Sequence, residues 1–374
     1  MRLLFWSELF LPDIGGVEIW SAQLIHALQR RGHECLAIAC RGARPARDEP
    51  IIEGIPVHRF GFHAALLGKD LAAIKKLVAE VVALKCEFRP DVIHINTSQP
   101  SVLFHEKSAA AVASATLVTV HEPPILAARN SMLARLLQDA NWVVGVSQAM
   151  LDDARSLVPD IAGRSSVIYN AVNDESAALA PLDSHAPELF CVGRLVKEKG
   201  WDVAIRALKD VRAAYPNVRM AIVGDGPERS DLERLAKALG LSGAVRFTGW
   251  VLPSDVGALL ESAFAVLLPA RWREPFGLVA LQAAEAGRPV IASRVGGLAE
   301  IVVDGVTGVL VPPNDSDALG IAIRGLLASP LTASRMGAAG RRHKRSRFGY
   351  DAFVASYEQI YRRLVGNSAG VVRA

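Results

Sequence analysis

The chain has 374 residues, 51% hydrophobic, 21% charged and 6% aromatic, with 30 Gly, 20 Pro and 4 Cys. At roughly 100–200 residues per domain this length predicts two domains, each able to bury a core, and it excludes a disordered chain, a collagen repeat and a disulfide scaffold. The formal charge of +4 is too small to argue for a nucleic-acid partner, although it is unevenly spread: 17 basic and 19 acidic residues in 1–180, 25 and 19 in 181–374.

Short Val/Ile/Leu-rich runs alternate with longer helical patterns along the whole chain, as in parallel sheets covered on both faces. In the first half the spacing predicts strands at 2–7, 34–39, 91–95, 115–120, 142–147 and 166–169. A helix over 17–31 ends in Arg30-Arg31-Gly32, a basic last turn followed by a terminating glycine. Between Asn170 and Pro187 both periodicities fade into Ala, Ser, Asp and Pro, marking a link. The second half repeats the pattern with strands at 188–193, 218–223, 244–248, 264–268, 289–293 and 308–311. The expected fold class is α/β: two Rossmann-like, doubly wound domains facing across a cleft. Ligands of open α/β sheets bind at the carboxyl ends of the strands, so function is expected in the loops there.

Cys35, Cys40, Cys86 and Cys191 form no C-x-x-C pair and have no His cluster at zinc spacing, so they read as reduced thiols and no metal site is expected. The apolar start Met1–Trp6 is too short for a signal-peptide core, and no run reaches the roughly 18–20 residues of a spanning helix. A cytoplasmic protein, soluble or peripherally attached, is expected.

Four turns carry candidate chemistry. Asp13-Ile14-Gly15-Gly16-Val17-Glu18 opens the first helix, where free N–H groups suit an anion; a tight turn that binds nothing is the equal alternative. Val192-Gly193-Arg194 with Lys199-Gly200 places two cations at a strand-to-helix turn, suited to a pair of phosphates, whereas Lys197 and Glu198 read as solvated. Gly224-Asp225-Gly226-Pro227 lacks the third glycine of a dinucleotide fingerprint, which disfavours a nicotinamide enzyme. In Arg271-Trp272-Arg273-Glu274-Pro275-Phe276-Gly277-Leu278 a carboxylate stands beside a helix start near Phe276, Gly277 and Leu278. Such a carboxylate would repel phosphate but accept from sugar hydroxyls, unless it only favours the helix terminus.

Together with Gly287-Arg288-Pro289 through Gly296-Gly297, Glu300-Ile301-Val302 and Gly305-Val306-Thr307-Gly308, these motifs resemble, over nearly the whole chain and in order, the retaining glycosyltransferases of family 4, which have the GT-B fold. The resemblance implies an acceptor-binding domain at 1–175, a donor-binding domain at 187–348 and a helix at 349–365 crossing back to the first domain. It implies transfer of a sugar from a nucleotide diphosphate sugar, UDP- or GDP- ahead of ADP-linked, to a glycan or lipid-linked acceptor, with no metal and no nucleic-acid partner. The carried-over roles are Arg194 and Lys199 on the diphosphate, helped by Gly15, Gly16, Gly226 and the 276–278 helix start. Glu274 would hold the donor sugar, His121 would lie beside it, and Asn170 would stand at the hinge. One departure is Gln282, where the family usually has a second glutamate for the ribose; Glu285, three residues on, cannot be assumed to replace it. A non-catalytic nucleotide-sugar binder is the alternative this leaves open.

The acceptor is expected at loops near Gly15, 60–70 and 97–105. Residues 66–85, carrying Lys69, Lys75, Lys76 and Lys85, read first as an amphipathic core helix and second as a membrane-facing patch. The basic run Arg341–Arg347 reads as the wet face of a late helix.

Overall fold

The computed structural model describes all residues except Ile14, 42–49, 97–98, 125–126, 175–178 and 372–374. Ile14 of the first glycine turn, part of loop 97–105 and part of the 170–187 link therefore lie outside the described residues. The chain divides into two units, Met1–Asn170 with Asp351–Ala374, and Ala171–Tyr350.

In the first unit β1 (Arg2–Trp6), β2 (Glu34–Cys40), β3 (Ile51–Ile52), β4 (Ile55–Phe60), β5 (Val92–Ile95), β6 (Ala115–Val120), β7 (Trp142–Gly145) and β8 (Ser165–Val167) form one sheet in the order β3-β4-β2-β1-β5-β6-β7-β8. All pairings are parallel except β3 with β4. That hairpin goes beyond the sequence reading: Pro56 and the alternation of polar residues hide a strand there, and Glu53 and Gly54, both at positive φ, make its two-residue turn.

The helix Gly16–Arg30 buries Trp20, Leu24, Ile25 and Leu28 on one stripe. It stops where Gly32, at φ 82, donates to Gln29 O and His33 donates to Leu28 O. From Asp351 on, the C-terminal helix Tyr350–Val371 belongs to this unit and lays Phe353 and Tyr357 against Trp20. Tyr361 OH, fully buried, lies 2.7 Å from His94 Nδ1, and His94 Nε2 lies 2.7 Å from Thr119 Oγ1.

The second unit holds β9 (Glu188–Val192), β10 (Arg219–Val223), β11 (Val245–Gly249), β12 (Ala265–Leu268), β13 (Val290–Ser293) and β14 (Gly308–Val311), all parallel, in the order β11-β10-β9-β12-β13-β14. Its central strands are buried on both faces, which is why they read as unbroken apolar runs. Residues 171–187, expected as a link, are counted with this unit: Asp174 accepts from Lys344 (2.6 Å), and Pro181 O accepts from Arg288 (3.4 Å).

Two charged helices bury cations, and for the second of them the expectation needs correction. Lys85, in the stretch read first as an amphipathic core helix, lies on the inner side of the helix Leu71–Phe88. Its ammonium is buried, donates to Ser108 Oγ (2.8 Å) and lies over the Trp6 ring. The run 341–347, expected as a wet face, is not uniformly wet. Lys344 is buried and, with Arg341 and Arg345, closes on the buried carboxylate of Glu285. Small residues explain it: Gly337 and Gly340 let the helix Pro330–Arg347 approach closely, and a Cβ on Gly337 would overlap the Gly287 carbonyl. Among the described residues no helix is long and apolar enough to cross a membrane.

Candidate functional site

In the second unit the turns that follow β10, β9 and β12, three neighbouring strands, interlock. Leu195 N donates to Asp225 O (2.9 Å) and Glu228 N to Leu195 O (3.0 Å), so the two loops lie backbone to backbone. Gly226 sits at that crossing, where a Cβ would come within 2.5 Å of Leu195 O. Trp201, at the start of its helix and 1% exposed, donates from Nε1 to Arg194 O (2.9 Å), and Arg271 N donates to Glu198 O (2.8 Å).

This framework brings Lys199 and Glu274, 75 residues apart, into contact: Lys199 Nζ donates to Glu274 Oε2 at 2.8 Å. Both side chains are partly exposed. Beneath Glu274 runs the turn after β13, whose Gly297 N donates to Glu274 O (2.9 Å). Gly296, at φ 48, presses so closely on the Glu274 backbone that a side chain there would overlap it. Arg194 is exposed on the same loop as Lys199 and forms no ion pair among the described residues.

The helix expected near Phe276 begins at Leu278, with Gly277 (φ 109) as its N-cap. The N–H groups of Gly277 and Leu278 have no acceptor among the described residues, as at any uncapped helix start, and form a ready place for an anion. The side chain of Phe276 is buried against Phe348, so it is the backbone there that is at issue, as the sequence reading took it. Gln282 is half-buried on the same helix, whereas Glu285 is held by Arg341, Lys344 and Arg345 and is withdrawn from any ligand. The Asp315-Ser316-Asp317 triplet, which has metal-binding form, has a structural duty: Asp315 caps the helix Ser316–Ala328 by accepting from Ala318 N (2.8 Å).

In the first unit Gly15 is the extended N-cap of the helix Gly16–Arg30, and Gly16 is exposed; a Cβ on Gly16 would meet nothing in the protein, so the fold itself does not require glycine there. His121 follows directly on β6 and packs edge-on to Trp20, ring centroids 4.6 Å apart. Burial pushes its imidazole down to about 3, so the ring is neutral, and its buried Nε2 has no partner among the described residues.

His121 lines a pocket of about 80 Å³ with Glu8, Glu18, Asn96, Gln99 and Glu122. Sequence reasoning missed Glu8, Asn96 and Glu122 as site residues. Each stands within two residues of the carboxyl end of β1, β5 or β6, and that position in an open parallel sheet is the signal that could have found them. Glu8 is held from three sides: Ser101 Oγ donates to it (2.6 Å), Cys40 Sγ donates to it (3.3 Å), and His63 pairs with it. One possible ligand atom each from Glu8, Cys40 and His63 lies within 4.8 Å of the others, the donor set of a zinc site, but these mutual bonds already account for the cluster.

Two family models divide the chain between them: "Glycosyltransferase Family 4" matches residues 14–176 and "Glycosyl transferases group 1" matches 173–343. A glycogen synthase of Mycobacterium tuberculosis is 30% identical, over 96% of this chain and 94% of its own length. The solved sucrose-phosphate synthase of Thermosynechococcus elongatus superposes with a TM-score of 0.83 at 26% identity, covering 98% of this chain and 99% of that one. Anabaena Alr3699/HepE, solved with UDP and glucose, superposes with a TM-score of 0.80 at 22% identity, covering 96% and 99%. Two parallel-sheet units, the ordered turns at their strand ends and these likenesses converge: the chain belongs to the GT-B glycosyltransferases of the family 4 type.

Proposed function

We propose that the chain transfers a sugar, with retention of anomeric configuration and without a metal, from a UDP- or GDP-sugar to a hydroxyl of a glycan or glycolipid acceptor. The observation that carries the reading is the Lys199–Glu274 contact at the ends of β9 and β12, beside the open N–H groups of Gly277 and Leu278. A cation, a carboxylate and a helix start together match one ligand with a diphosphate at one end and sugar hydroxyls at the other. Support comes also from Alr3699/HepE, whose structure holds UDP and glucose, and from the glycogen synthase relative.

In this reading the second unit takes the donor and the first the acceptor. Arg194, Lys199 and the helix start stabilise the negative charge that grows on the departing diphosphate, a preorganised role worth several kcal/mol per well-placed donor. Glu274 accepts from donor-sugar hydroxyls. Neutral His121 contributes as a hydrogen-bonding group beside the sugar and not as a cation. The departing phosphate oxygen takes the acceptor's proton on the face where the new bond forms, which gives retention without a protein nucleophile.

The test is donor turnover against UDP-, GDP- and ADP-sugars, with and without a chelator. Arg194→Ala and Lys199→Ala should each lower turnover by about 10²- to 10³-fold with unchanged circular dichroism. Wild-type turnover in both variants would overturn the assignment.

A further inference from the structure

The ring of His121 is placed by packing. Its Nε2 has no hydrogen-bond partner among the described residues, and Trp20 meets it edge-on with centroids 4.6 Å apart. Trp20 is in the same situation: it is 3% exposed, and its buried Nε1 is also without a partner among the described residues. A hydrogen bond fixes a ring by direction, whereas packing fixes it only as well as the neighbouring rings are themselves fixed. Trp20 has three further edge-on neighbours: His94 at 5.8 Å, and from the C-terminal helix Tyr350–Val371 both Tyr357 at 5.6 Å and Phe353 at 5.9 Å.

Hydrogen bonds enter one contact further on. His94 and Tyr357 are fully buried, and both reach Thr119, two residues before His121: His94 Nε2 lies 2.7 Å from Thr119 Oγ1, and Tyr357 OH lies 3.2 Å from it. The other nitrogen of His94 is 2.7 Å from the hydroxyl of Tyr361, one turn beyond Tyr357 on the helix. Burial holds His94 neutral, so one of its nitrogens donates and the other accepts. The run from Tyr361 through His94 and Thr119 to Tyr357 thus fixes both phenol rings against β5 and β6.

We propose that Tyr357 is a positioning residue for His121: its phenol, anchored on Thr119, holds Trp20, and Trp20 holds the imidazole in a single orientation. Phe353 completes the same wall against Trp20. The inference rests on the reading that gives His121 a part in the transfer, and it gives the C-terminal helix a duty in that chemistry beyond covering the core of the first unit. Removing the Tyr357 ring leaves a void into which the indole can turn, and His121, with no bond at Nε2 to resist, follows it. Removing the hydroxyl alone leaves the wall standing.

The experiment follows the imidazole itself. In the full chain with isotope-labelled histidine, the resonances of His121 are identified by their loss in His121→Gln. Tyr357→Leu should move them, because the ring current of an edge-on indole changes as the indole turns, and Tyr357→Phe should leave them near their wild-type positions. Val81→Ala, a buried truncation on the helix Leu71–Phe88, controls for stability lost elsewhere in the unit and should also leave them in place. With a sugar nucleotide that the wild type cleaves, kcat should fall by about tenfold to 10²-fold in Tyr357→Leu, with KM for the donor little changed, and should largely recover in Tyr357→Phe. If Tyr357→Leu does not fold, Phe353→Leu, which trims the same wall, should move the resonances in the same direction by less. The inference is overturned if the leucine variants that fold give the wild-type His121 resonances, or if Val81→Ala moves them equally. Resonances that move while kcat holds would uphold the positioning and count against the part given to His121 in the parent reading. Failure to cleave any sugar nucleotide would likewise count against that parent reading, and the resonances, which need no substrate, would still decide the positioning.

Discussion

Replacing Gly296 by Ala tests whether Glu274 acts from one fixed position. Two costs arise there. The first is backbone strain, about 1 kcal/mol for an L side chain in the left-handed region, and Gly305 isolates it: its φ is 73 and a Cβ there would meet nothing within 4 Å. The second is specific to 296. A Cβ would overlap the Glu274 carbonyl oxygen and stand 3.0 Å from both its carbonyl carbon and its amide nitrogen, where ordinary contact begins at 3.4 Å. Relief requires Glu274 to retreat by roughly 1 Å, a displacement that near reacting groups costs about 10²-fold in rate. The retreat would also strain the 2.8 Å contact with Lys199 and the 2.9 Å bond from Gly297 N. Gly296→Ala should therefore lose about 1–3 kcal/mol of stability and about 10²-fold in kcat/KM, whereas Gly305→Ala should lose about 1 kcal/mol and keep its turnover. Nucleotide release from the sugar donor, read alongside thermal melting, separates the two. If Gly296→Ala melts lower yet turns over like Gly305→Ala, Glu274 needs no fixed position and the donor-sugar role assigned to it falls.

Two further outcomes are expected. Gln282→Glu restores a charged acceptor where the ribose hydroxyls would lie, and titration should show donor binding tightened by about fivefold to tenfold, roughly 1 kcal/mol; unchanged affinity would remove Gln282 from the site. Burial pushes the Lys85 ammonium down to about 7, and the groups facing it are His105, itself held neutral by burial, and Ser108. The unfolded chain, with its lysine near 10.4, then binds more protons than the folded one, so stability should rise as pH climbs from about 7 toward about 10. Urea midpoints near pH 7 and near pH 9 should diverge in the wild type and converge in Lys85→Met; equal divergence in both would refute the assignment.

What the sequence disclosed and what it withheld follow from the range of each interaction. A strand buried on both faces announces itself as an apolar run, and the turn after it as glycine with a polar residue, so Arg194, Lys199, Glu274 and His121 could each be set at a strand end. That Lys199 meets Glu274 depends on strand order. The turns after β9 and β12 are neighbours because the sheet runs β10-β9-β12-β13, and no local pattern encodes that adjacency. Asn96 illustrates the same limit. At the end of β5 it is an unremarkable loop residue until the fold puts Ser21 on one side of its amide and leaves the pocket on the other.

Charge was the least legible property, since a helical run of Arg and Lys looks alike whether it faces water or a buried partner. The helix Pro330–Arg347 settles the matter by packing. Its glycines bring it onto the helix Leu278–Glu285, Lys344 sinks to full burial, and a desolvated ammonium must then find carboxylates, which Glu285 and Asp174 provide. The consequence reaches the candidate site. Glu285 was the one acidic residue near Gln282 in sequence that could have taken over a ribose contact, and its engagement with Arg341, Lys344 and Arg345 removes it from that role. Releasing it would strand Lys344 with only the half-exposed Asp174 to answer its charge, a loss that breaking a buried pair puts at about 3–5 kcal/mol. In the donor role proposed for it, the amide at 282 would therefore act without a carboxylate from its own helix. For that reason donor affinity, more than the chemical step, is where this chain should differ from relatives that carry the second glutamate.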